Sequence, residues 1–302
     1  MIRLGLCCTF RDQPIKFATT TATALGRMAR ADALEKIARL CAANAEALLA
    51  ALRFCADNGI GCFRINSQIL PIKTHPRDGY EMSDLPGGDA MVSRFRQAGE
   101  FAQQHGLRLC FHPDQFVVLN SQKPEVVDAS VQELEYQGEI AEWVGADVIN
   151  IHGGGAFGDK QKALADFARN LGRLSERVRS RLTVENDDTT FSPADLLPLC
   201  RAEGLPLVYD VHHHRVYKDE MSIEAATEQA LTTWNREPLF HLSSPLEGWE
   251  GAGPRRHHDF IDIRDFPPCW LSHNLTVEVE AKAKEAAVLE LKQALANLPP
   301  QR

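Results

Sequence analysis

The 302-residue sequence has no long apolar run. No stretch approaches the roughly 18 to 20 apolar residues that a membrane-spanning helix needs, so we expect no membrane association. The chain starts with Met1-Ile2-Arg3-Leu4-Gly5, which is typical of a strand, and we expect no leader peptide. These absences indicate a soluble, cytoplasmic protein.

Disulfide and zinc-ribbon patterns are also missing. The eight cysteines include no Cys-x-x-Cys spacing, and most of them lie in apolar runs. Free cysteine in such a run behaves as a small buried hydrophobe. We therefore expect reduced core cysteines in a reducing compartment, rather than disulfides or a zinc site.

The sequence has no excess of positive charge. It carries 33 basic and 41 acidic residues, for a formal net charge of -8. This balance argues against a protein that coats nucleic acid through bulk charge alone. Bound divalent cations would offset part of the deficit at the place where a phosphate lies, so the balance is compatible with a nucleic-acid substrate.

The sequence does contain a repeated alternation of short apolar runs and amphipathic segments. Continuous apolar strands that alternate with helices are typical of a parallel sheet covered by helices, and eight such units predict a (β/α)8 barrel. We expect residues 1–302 to form a single TIM-barrel catalytic domain of the α/β class. The predicted strands are 3–8, 61–66, 108–112, 147–152, 181–185, 206–210, 238–243 and 274–280. The predicted helices are 31–58, 88–106, 123–145, 160–179, 192–203, 222–235 and a last helix in 278–298.

Three long irregular segments, 9–23, 67–88 and 244–266, each follow a predicted strand. In a TIM barrel, the loops after the strands form the C-terminal rim, where active sites are built. Side chains at the ends of strands three to eight converge on the same rim. Each of these strand ends carries a histidine or a carboxylate, namely His112, His152, Glu185, Asp210, His241, and Glu278 with Glu280.

This cluster favours a metal site at the rim. Crowded carboxylates repel each other and take up protons unless cations balance them. Mixed imidazole and carboxylate ligands suit zinc, manganese or iron better than calcium, and we expect two or three divalent metals. Taken alone, a residue such as His112 or Glu185 could equally be a hydrogen-bonded or salt-bridged structural group.

Three consecutive histidines begin at His212. Because alternation along a strand sends neighbours to opposite sides, at most two of them could share a pocket. We choose Asp210 and His213 as site residues and expect His212 and His214 to be structural. The glycines at 153–155 would let the backbone approach a phosphate or a sugar, or they form a tight turn.

Six ordered motifs resemble those of one known family. The sequence is similar to the UV damage endonucleases (UvdE) from residue 3 to about residue 284. Six motifs in the same order make this resemblance specific at the family level. The motifs are His112-Pro113-Asp114-Gln115, Ile151-His152-Gly153-Gly154, Val184-Glu185-Asn186-Asp187, Asp210-x-x-His213, His241-Leu242-Ser243-Ser244 and Val279-Glu280-Ala281-Lys282-Ala283-Lys284.

The resemblance implies a (β/α)8 barrel related to endonuclease IV and a cluster of up to three metals. Mn2+ is the expected ion, with Zn2+, Mg2+ or Fe2+ as alternatives. Enzymes of this family nick the DNA backbone immediately 5′ of a photoproduct or an abasic site. The implied function is therefore metal-dependent DNA repair on damaged double-stranded DNA. We expect a monomer that requires no protein partner.

The family pattern also implies roles for individual residues. The implied ligands of a first metal are His112, His152 and Glu185, with His75 nearby. Those of a second metal are Glu185, Asp210, His241 and Glu280. Those of a third are His213 and His257, which fits the family pattern His-x-Asp-aromatic better than His258 does. The candidate catalytic residues are Glu185, as the bridging ligand, and Lys282.

Residues on the rim loops are candidates for DNA contact. Gln115 and Phe116 match the pair that probes the duplex at a lesion, although the family has tyrosine where this chain has Phe116. An aromatic wedge keeps the stacking role without the hydroxyl. Arg11 and Lys73 are predicted phosphate contacts.

Besides Phe116, three further positions depart from the family pattern. The pattern has tyrosine and asparagine at the positions of Leu6 and Phe10, where they contact the lesion strand. It has a carboxyl-modified lysine, which touches the metals, at the position of Leu239. The departures suggest a divergent branch in which metal binding is kept better than lesion specificity.

Two other classes of protein share parts of this pattern. A xylose isomerase-like sugar isomerase also binds two metals through His, Glu and Asp, and Lys282 could be its acid/base group. For a two-metal isomerase, however, His213 and His257 are surplus ligands. The other class, a non-enzymatic metal-dependent DNA-binding or scaffold protein, is disfavoured because structural metal sites are closed, whereas this ligand set leaves open positions.

Overall fold

A computed structural model of the chain describes residues 1–299. It contains eight strands, one in each predicted region, and the predicted strands are confirmed. Buried parallel strands read as continuous apolar runs, which is why each one was visible in the sequence. The strands are β1 Ile2–Cys7, β2 Cys62–Ile65, β3 Arg108–Phe111, β4 Val148–His152, β5 Leu182–Glu185, β6 Leu207–Val208, β7 Leu239–Leu242 and β8 Leu275–Val279.

The eight strands form one parallel sheet that curves into a barrel. Sequence neighbours pair in register from β1 to β6, and β8 lies between β1 and β7. The remaining edge, between β6 and β7, closes through one bridge from Asp210 to His241. The backbone N–H of His241 donates to the carbonyl of Tyr209 there, at 3.1 Å. The predicted TIM-barrel fold is therefore confirmed.

Helices cover the outside of the barrel. The helices are α1 Ala22–Leu25, α2 Arg30–Asn58, α3 Gly88–Gln104, α4 Pro124–Val144, α5 Lys160–Leu171, α6 Glu176–Arg179, α7 Pro193–Glu203, α8 Val211–Val216, α9 Ile223–Leu231 and α10 Glu285–Ala296. The longest, α2, buries Ile37, Cys41 and Leu48 at helical spacing and ends at Gly59. Gly59 has a φ of 63°, a left-handed conformation that glycine adopts without a steric penalty.

Two predicted helices, and the predicted setting of the three histidines, differ from the structure. The single helix predicted at 160–179 is two helices: α5 ends at Leu171 with Gly172 as its cap, and α6 begins at Glu176 after its cap Ser175. The last helix starts at Glu285 rather than within β8. The three histidines after Asp210 lie on α8 and not on a strand, because the Asp210 carboxylate caps the first turn of that helix.

Two groups of apolar side chains form the core. The larger lies between the strands and the helices, and the smaller lies inside the barrel and consists of Cys62, Cys110, Val148, Val208 and Leu239. All eight cysteines are free, as predicted. In residues 1–299, no helix combines the length and the apolar character needed to cross a membrane.

Candidate metal centre

Side chains from the ends of six neighbouring strands converge at the rim of the barrel. Three overlapping groups of residues hold nitrogen and oxygen ligand atoms within 4.8 Å of one another. Glu185 belongs to two of these groups, and so does Asp210. The groups are His112 with His152 and Glu185, then Glu185 with Asp210 and His213, and finally Asp210 with His241 and Glu280. The structure therefore brings together seven of the nine predicted ligands.

Glu185 lies at the centre of the cluster, with 1% of its surface exposed. Its Oε2 is 3.0 Å from Nε2 of His112. Its Oε1 is 3.2 Å from Nδ1 of His213 and 3.2 Å from Nδ1 of His241. The two oxygens of one carboxylate thus face different groups of candidate ligands. Asn150 donates a hydrogen bond of 2.6 Å to Oε2 and fixes the carboxylate in place.

Asp210 is held by the start of α8. One of its oxygens, Oδ1, accepts a hydrogen bond from the backbone N–H of His213 at 2.7 Å. Asn186 also binds the backbone of Asp210, through its side-chain carbonyl and its amide, both at 2.9 Å. Asp210 caps the first turn of α8, and this turn directs His213 back toward Glu185. Sequence reasoning chose both residues, but Asn186 was not selected as their support.

Several ligand atoms of the cluster have no hydrogen-bond partner. Among the described residues these include Nδ1 of His152, Oδ2 of Asp210 and Nδ1 of His241. Buried polar atoms without partners are rare, because each loses its hydration without compensation. Neutral imidazole nitrogens together with carboxylate oxygens are the donor set that divalent transition metals prefer. The residues present therefore fit a centre that binds divalent metals.

Opposite charges dominate the electrostatics of the cluster. Burial alone would raise the pKa of Glu185, but the imidazoles of His241 and His152 hold that pKa well below its usual range. Burial alone would lower the pKa of His241, but the carboxylates of Glu185 and Glu280 raise it to about 10. The site thus keeps ionised groups in a region that excludes water. Bound cations would replace the protons that balance these carboxylates.

Arg64 and Glu278 lie directly beneath the ligands, inside the barrel. Nε of Arg64 is 2.8 Å from Oε2 of Glu278, and Nη1 is 2.8 Å from Oε1 of Glu280. Oε2 of Glu278 is also 2.9 Å from Nε2 of His241. Sequence reasoning did not select Arg64. The available signal was a charged residue in the middle of the apolar strand β2.

The last two predicted ligands lie at or beyond the edge of the cluster. Nδ1 of His257 is 3.8 Å from Oε2 of Glu280, so it borders the third group. Its neighbour His258 instead accepts a hydrogen bond from the backbone of Phe260, which agrees with the choice of His257. His75 lies in the loop after β2, where its Nδ1 accepts from the backbone N–H of Asp78 at 3.1 Å. It belongs to none of the three ligand groups.

His212 and His214 bind partners outside the cluster. Nδ1 of His212 is 3.3 Å from the carbonyl of Ser243, and burial lowers its pKa. His214 lies between the hydroxyl of Tyr209 at 2.7 Å and the carboxylate of Asp219 at 3.0 Å. Both histidines thus have structural partners.

The sequence as a whole matches one protein family. The model of the family described as UV-endonuclease UvdE matches residues 2–300. The chain belongs to the UvdE family. It is 31% identical over 291 residues to a UV DNA damage endonuclease from Bacillus thuringiensis subsp. konkukian (strain 97-27), covering 93% of this chain and 89% of that relative. A UV DNA damage endonuclease from Bacillus cereus (strain 03BB102) is 30% identical with the same coverage.

Solved structures agree with this family assignment. The structure of SacUVDE superimposes with a TM-score of 0.87 at 26% identity and covers 98% of both chains. Endonuclease IV from Thermus thermophilus superimposes with a TM-score of 0.60 at 17% identity, over 98% of this chain and 100% of that one. D-psicose 3-epimerase from Clostridium cellulolyticum gives 0.58 at 10% identity, over 98% and 97%. The last two similarities concern the fold alone.

Two aromatic rings of this UvdE chain are exposed on adjacent rim loops. Phe116, in the loop after β3, is 77% exposed and follows the exposed Gln115. Phe157, in the loop after β4, is 48% exposed and has a positive φ of 48°. Asn120 joins the two loops by donating to the carbonyls of Gly153 and Gly155, at 2.8 and 2.9 Å. Sequence reasoning selected Phe116 but not Phe157. The glycines on both sides of Phe157 could have indicated an exposed loop there.

The charged rim residues differ in how they are presented. Arg11 is half-exposed, and its guanidinium is 3.6 Å from the carboxylate of Asp12. Lys73 has only 7% of its side chain exposed, and its ammonium group is 2.6 Å from Glu81. In this arrangement Lys73 forms an ion pair and is not presented to a phosphate. Lys282 is exposed, and its backbone N–H donates to the carbonyl of His258.

The three departures from the UvdE pattern all lie in apolar surroundings. Leu6 is fully buried in β1. Phe10 packs against the rings of Phe54 and Phe63, with centroid distances of 5.3 and 6.0 Å. Leu239 lies in the apolar group inside the barrel. These side chains contribute to packing, so polar contacts to DNA or metal from these positions are absent in this chain.

Proposed function

We propose that this protein is a divalent-metal-dependent DNA repair endonuclease. It cuts the phosphodiester backbone of damaged double-stranded DNA immediately 5′ of a UV photoproduct or another lesion. The observation that carries this proposal is the set of three overlapping ligand groups that share Glu185 and Asp210 at the barrel rim, in a chain of the UvdE family. A cytoplasmic monomer is part of the same proposal.

The seven clustered residues would hold up to three ions, with His257 at the border of the third group. We assign Mn2+ to these positions. Divalent ions, when bound, supply positive charge that polarises a phosphodiester and makes water acidic enough to attack phosphorus near neutral pH. His75 is assigned an outer role, because it lies apart from the three groups.

The chain's own residues prepare the centre for this chemistry. Glu185 directs one oxygen toward His112 and the other toward His213 and His241, which fixes the spacing between neighbouring groups. The hydrogen bond from the backbone of His213 leaves Oδ2 of Asp210 directed into the site without a partner. Such preorganised groups need little rearrangement when charge develops on the phosphate.

The exposed rings on the rim provide the contact with DNA. Phe116 stands out from the loop after β3 and would insert at the lesion, with Gln115 beside it. Apolar wedges of this kind unstack base steps and kink the duplex. Arg11 would contact the backbone, since phosphate contacts position a protein on DNA without reading its sequence.

A sugar isomerase is the disfavoured alternative. The epimerases that resemble this chain do so at 10 to 13% identity, which concerns the fold alone. An isomerase also needs an acid/base group beside its metals, and such groups are tuned by burial. Lys282, the candidate for that role, is exposed. Family membership and the exposed lysine both favour the endonuclease.

Incision of a defined substrate tests the proposed function. The substrate is a labelled duplex with a single photoproduct, compared with the undamaged duplex, in Mn2+ and in EDTA. We expect an Mn2+-dependent nick immediately 5′ of the lesion and none in the undamaged duplex. Glu290→Gln, an exposed carboxylate on α10, is the matched control for substitutions in the site. Folded, Mn2+-loaded protein that leaves the lesion duplex intact would refute the proposal.

A further inference from the structure

A buried arginine lies between two glutamates, one in β8 and one just after it, below the metal centre. Arg64, on β2, is 7% exposed and Glu278 is 1% exposed. The guanidinium contacts Glu278 through Nε and Nη2, and it contacts Glu280 through Nη1 at 2.8 Å. Glu278 lies in β8 and Glu280 follows the last residue of that strand, and both side chains reach Arg64.

The two glutamates have different surroundings. Glu280 belongs to the ligand group of Asp210 and His241, whereas Glu278 lies outside the three groups at the rim and forms a separate group with Cys62 and Cys110 inside the barrel. Oε1 of Glu278 accepts a hydrogen bond from the thiol of Cys110 at 2.9 Å, and Oε2 lies next to Arg64 and His241. Both oxygens of Glu278 therefore contact residues below the metal centre, whereas Glu280 faces the metal centre itself.

Arg64 creates a conflict that Glu278 relieves. Arginine is always charged and is only a donor, so it attracts the same carboxylate oxygens that a metal would bind. With Glu280 as its sole partner, Arg64 would compete with a cation for that ligand. Glu278 adds a second negative charge beside the guanidinium, so Glu280 is not the sole counter-charge of Arg64.

Glu278 also orients His241. Nε2 of that histidine lies 2.9 Å from Oε2 of Glu278 and 3.0 Å from Nη2 of Arg64. When a cation takes the electron pair of Nδ1, the remaining proton lies on Nε2, and of the two neighbours only the carboxylate of Glu278 can accept it. Metal-binding histidines commonly donate their other ring N–H to a carboxylate in this way. Nδ1 is the atom that faces Glu185 and Glu280.

We propose that Glu278 is a positioning residue of the metal centre. It shares the charge of Arg64 with Glu280 and holds Nε2 of His241, so that Glu280 and Nδ1 of His241 can bind a metal. The inference rests on the metal-binding part of the proposed function. It concerns the group of Asp210, His241 and Glu280, and not the group of His112 and His152.

The substitution Glu278→Gln isolates the charge. Glutamine has the same shape and still accepts a hydrogen bond from His241, but it no longer balances Arg64. We expect the affinity of the group containing Glu280 for Mn2+ to fall about 10- to 100-fold, the range for partners of metal ligands. The group around His112 and His152 should bind with unchanged affinity.

Mn2+ titration of the metal-stripped full chain measures this effect. Electron paramagnetic resonance gives the free Mn2+ concentration, and calorimetry gives the number of sites. The proteins are wild type, Glu278→Gln, Arg64→Met and the double variant, with Glu290→Gln as the control. In the double variant both buried charges are gone, and we expect Mn2+ affinity within a few-fold of wild type.

The double variant separates positioning from a merely structural role. If Glu278 only stabilised the fold, the second substitution would add to the loss instead of restoring affinity. Unchanged Mn2+ affinity in Glu278→Gln, or a double variant weaker than the single one, would overturn the inference. The double variant leaves no unpaired charge and therefore serves as the test should Glu278→Gln fail to fold. A tenfold or larger loss of Mn2+ affinity in the double variant would then overturn the inference. Wild-type protein that binds no Mn2+ would instead refute the metal-dependent function on which the inference rests.

Discussion

Replacing Glu185 with glutamine should disable the centre while leaving the barrel folded. Both oxygens of Glu185 are in use, one toward His112 and the other toward His213 and His241. Glutamine keeps one oxygen and presents an NH2 group in place of the second. Glutamine can therefore offer a neutral oxygen to one ligand group only. It offers no negative charge to any group. The Asn150 hydrogen bond can be kept, so the local backbone need not move.

The size of the effect follows from the distances. Two unit charges about 4 Å apart interact by on the order of 4 kcal/mol at the effective dielectric constant typical of protein sites. A loss of that size corresponds to roughly a thousandfold in a binding constant. The ligand atoms of each group lie within 4.8 Å of one another, so this estimate applies to an ion held among them. We expect Glu185→Gln to lose at least one equivalent of Mn2+ and its turnover.

The assay combines metal content with incision. Wild type, Glu185→Gln and the Glu290→Gln control are loaded with Mn2+, dialysed, and measured for bound metal and for nicking of the photoproduct duplex. Circular dichroism and thermal melting establish that the variant is folded. A folded Glu185→Gln protein with wild-type metal content and turnover would show that the carboxylate does not bridge the ligand groups.

Other predictions concern metal, pH and the rim. Removal of metal with EDTA should lower the melting temperature and added Mn2+ should restore it, since a ligand at about 100 times its Kd stabilises by roughly 2.7 kcal/mol; equal melting curves would contradict this. In metal-free protein, Glu185 raises the pKa of His241 to about 10 against the opposing effect of burial, so the stabilisation is complete below about pH 6.5 and is lost as pH rises toward 10. The melting temperature of metal-free protein should fall between these pH values, and it should fall less steeply with pH in His241→Asn. Phe116→Ala and Phe157→Ala should each weaken anisotropy-measured binding to damaged duplex about tenfold, because stacking contributes roughly 1 to 3 kcal/mol per base. Leu298→Ala, near the opposite end of the barrel, should bind like wild type, and equal binding by all three variants would exclude a stacking role.

The sequence predicted the fold because the barrel depends on local patterns. Each buried strand is an apolar run, and each strand end in a parallel barrel points to the same rim. Residues such as His112 and Glu185, directly at those ends, could therefore be placed together without any knowledge of packing. Asp210 and His213 do lie in the same group, although the separation of the three histidines comes from helix α8 and not from a strand.

The missed features depend on contacts between distant segments. Arg64 and Glu278 are 214 residues apart, and only the pairing of the barrel strands brings them together. The ion pair of Lys73 depends on the path of an irregular loop that returns to Glu81, which no periodicity describes. From the sequence, Phe10 is only the loss of an asparagine expected to contact DNA. Its packing against Phe54 and Phe63 depends on the three-dimensional structure.

The closure of the barrel has a consequence for how the molecule holds its shape. β6 has two residues, and a single bridge from Asp210 to His241 joins its end to β7. Both residues of that bridge belong to the same candidate ligand group, so an ion bound there would link the first and last strands of the sheet order. The metal would then crosslink β6 and β7, which a single backbone bridge joins. Loss of the ion would loosen β6 and β7 first, and hydrogen exchange would begin between these two strands.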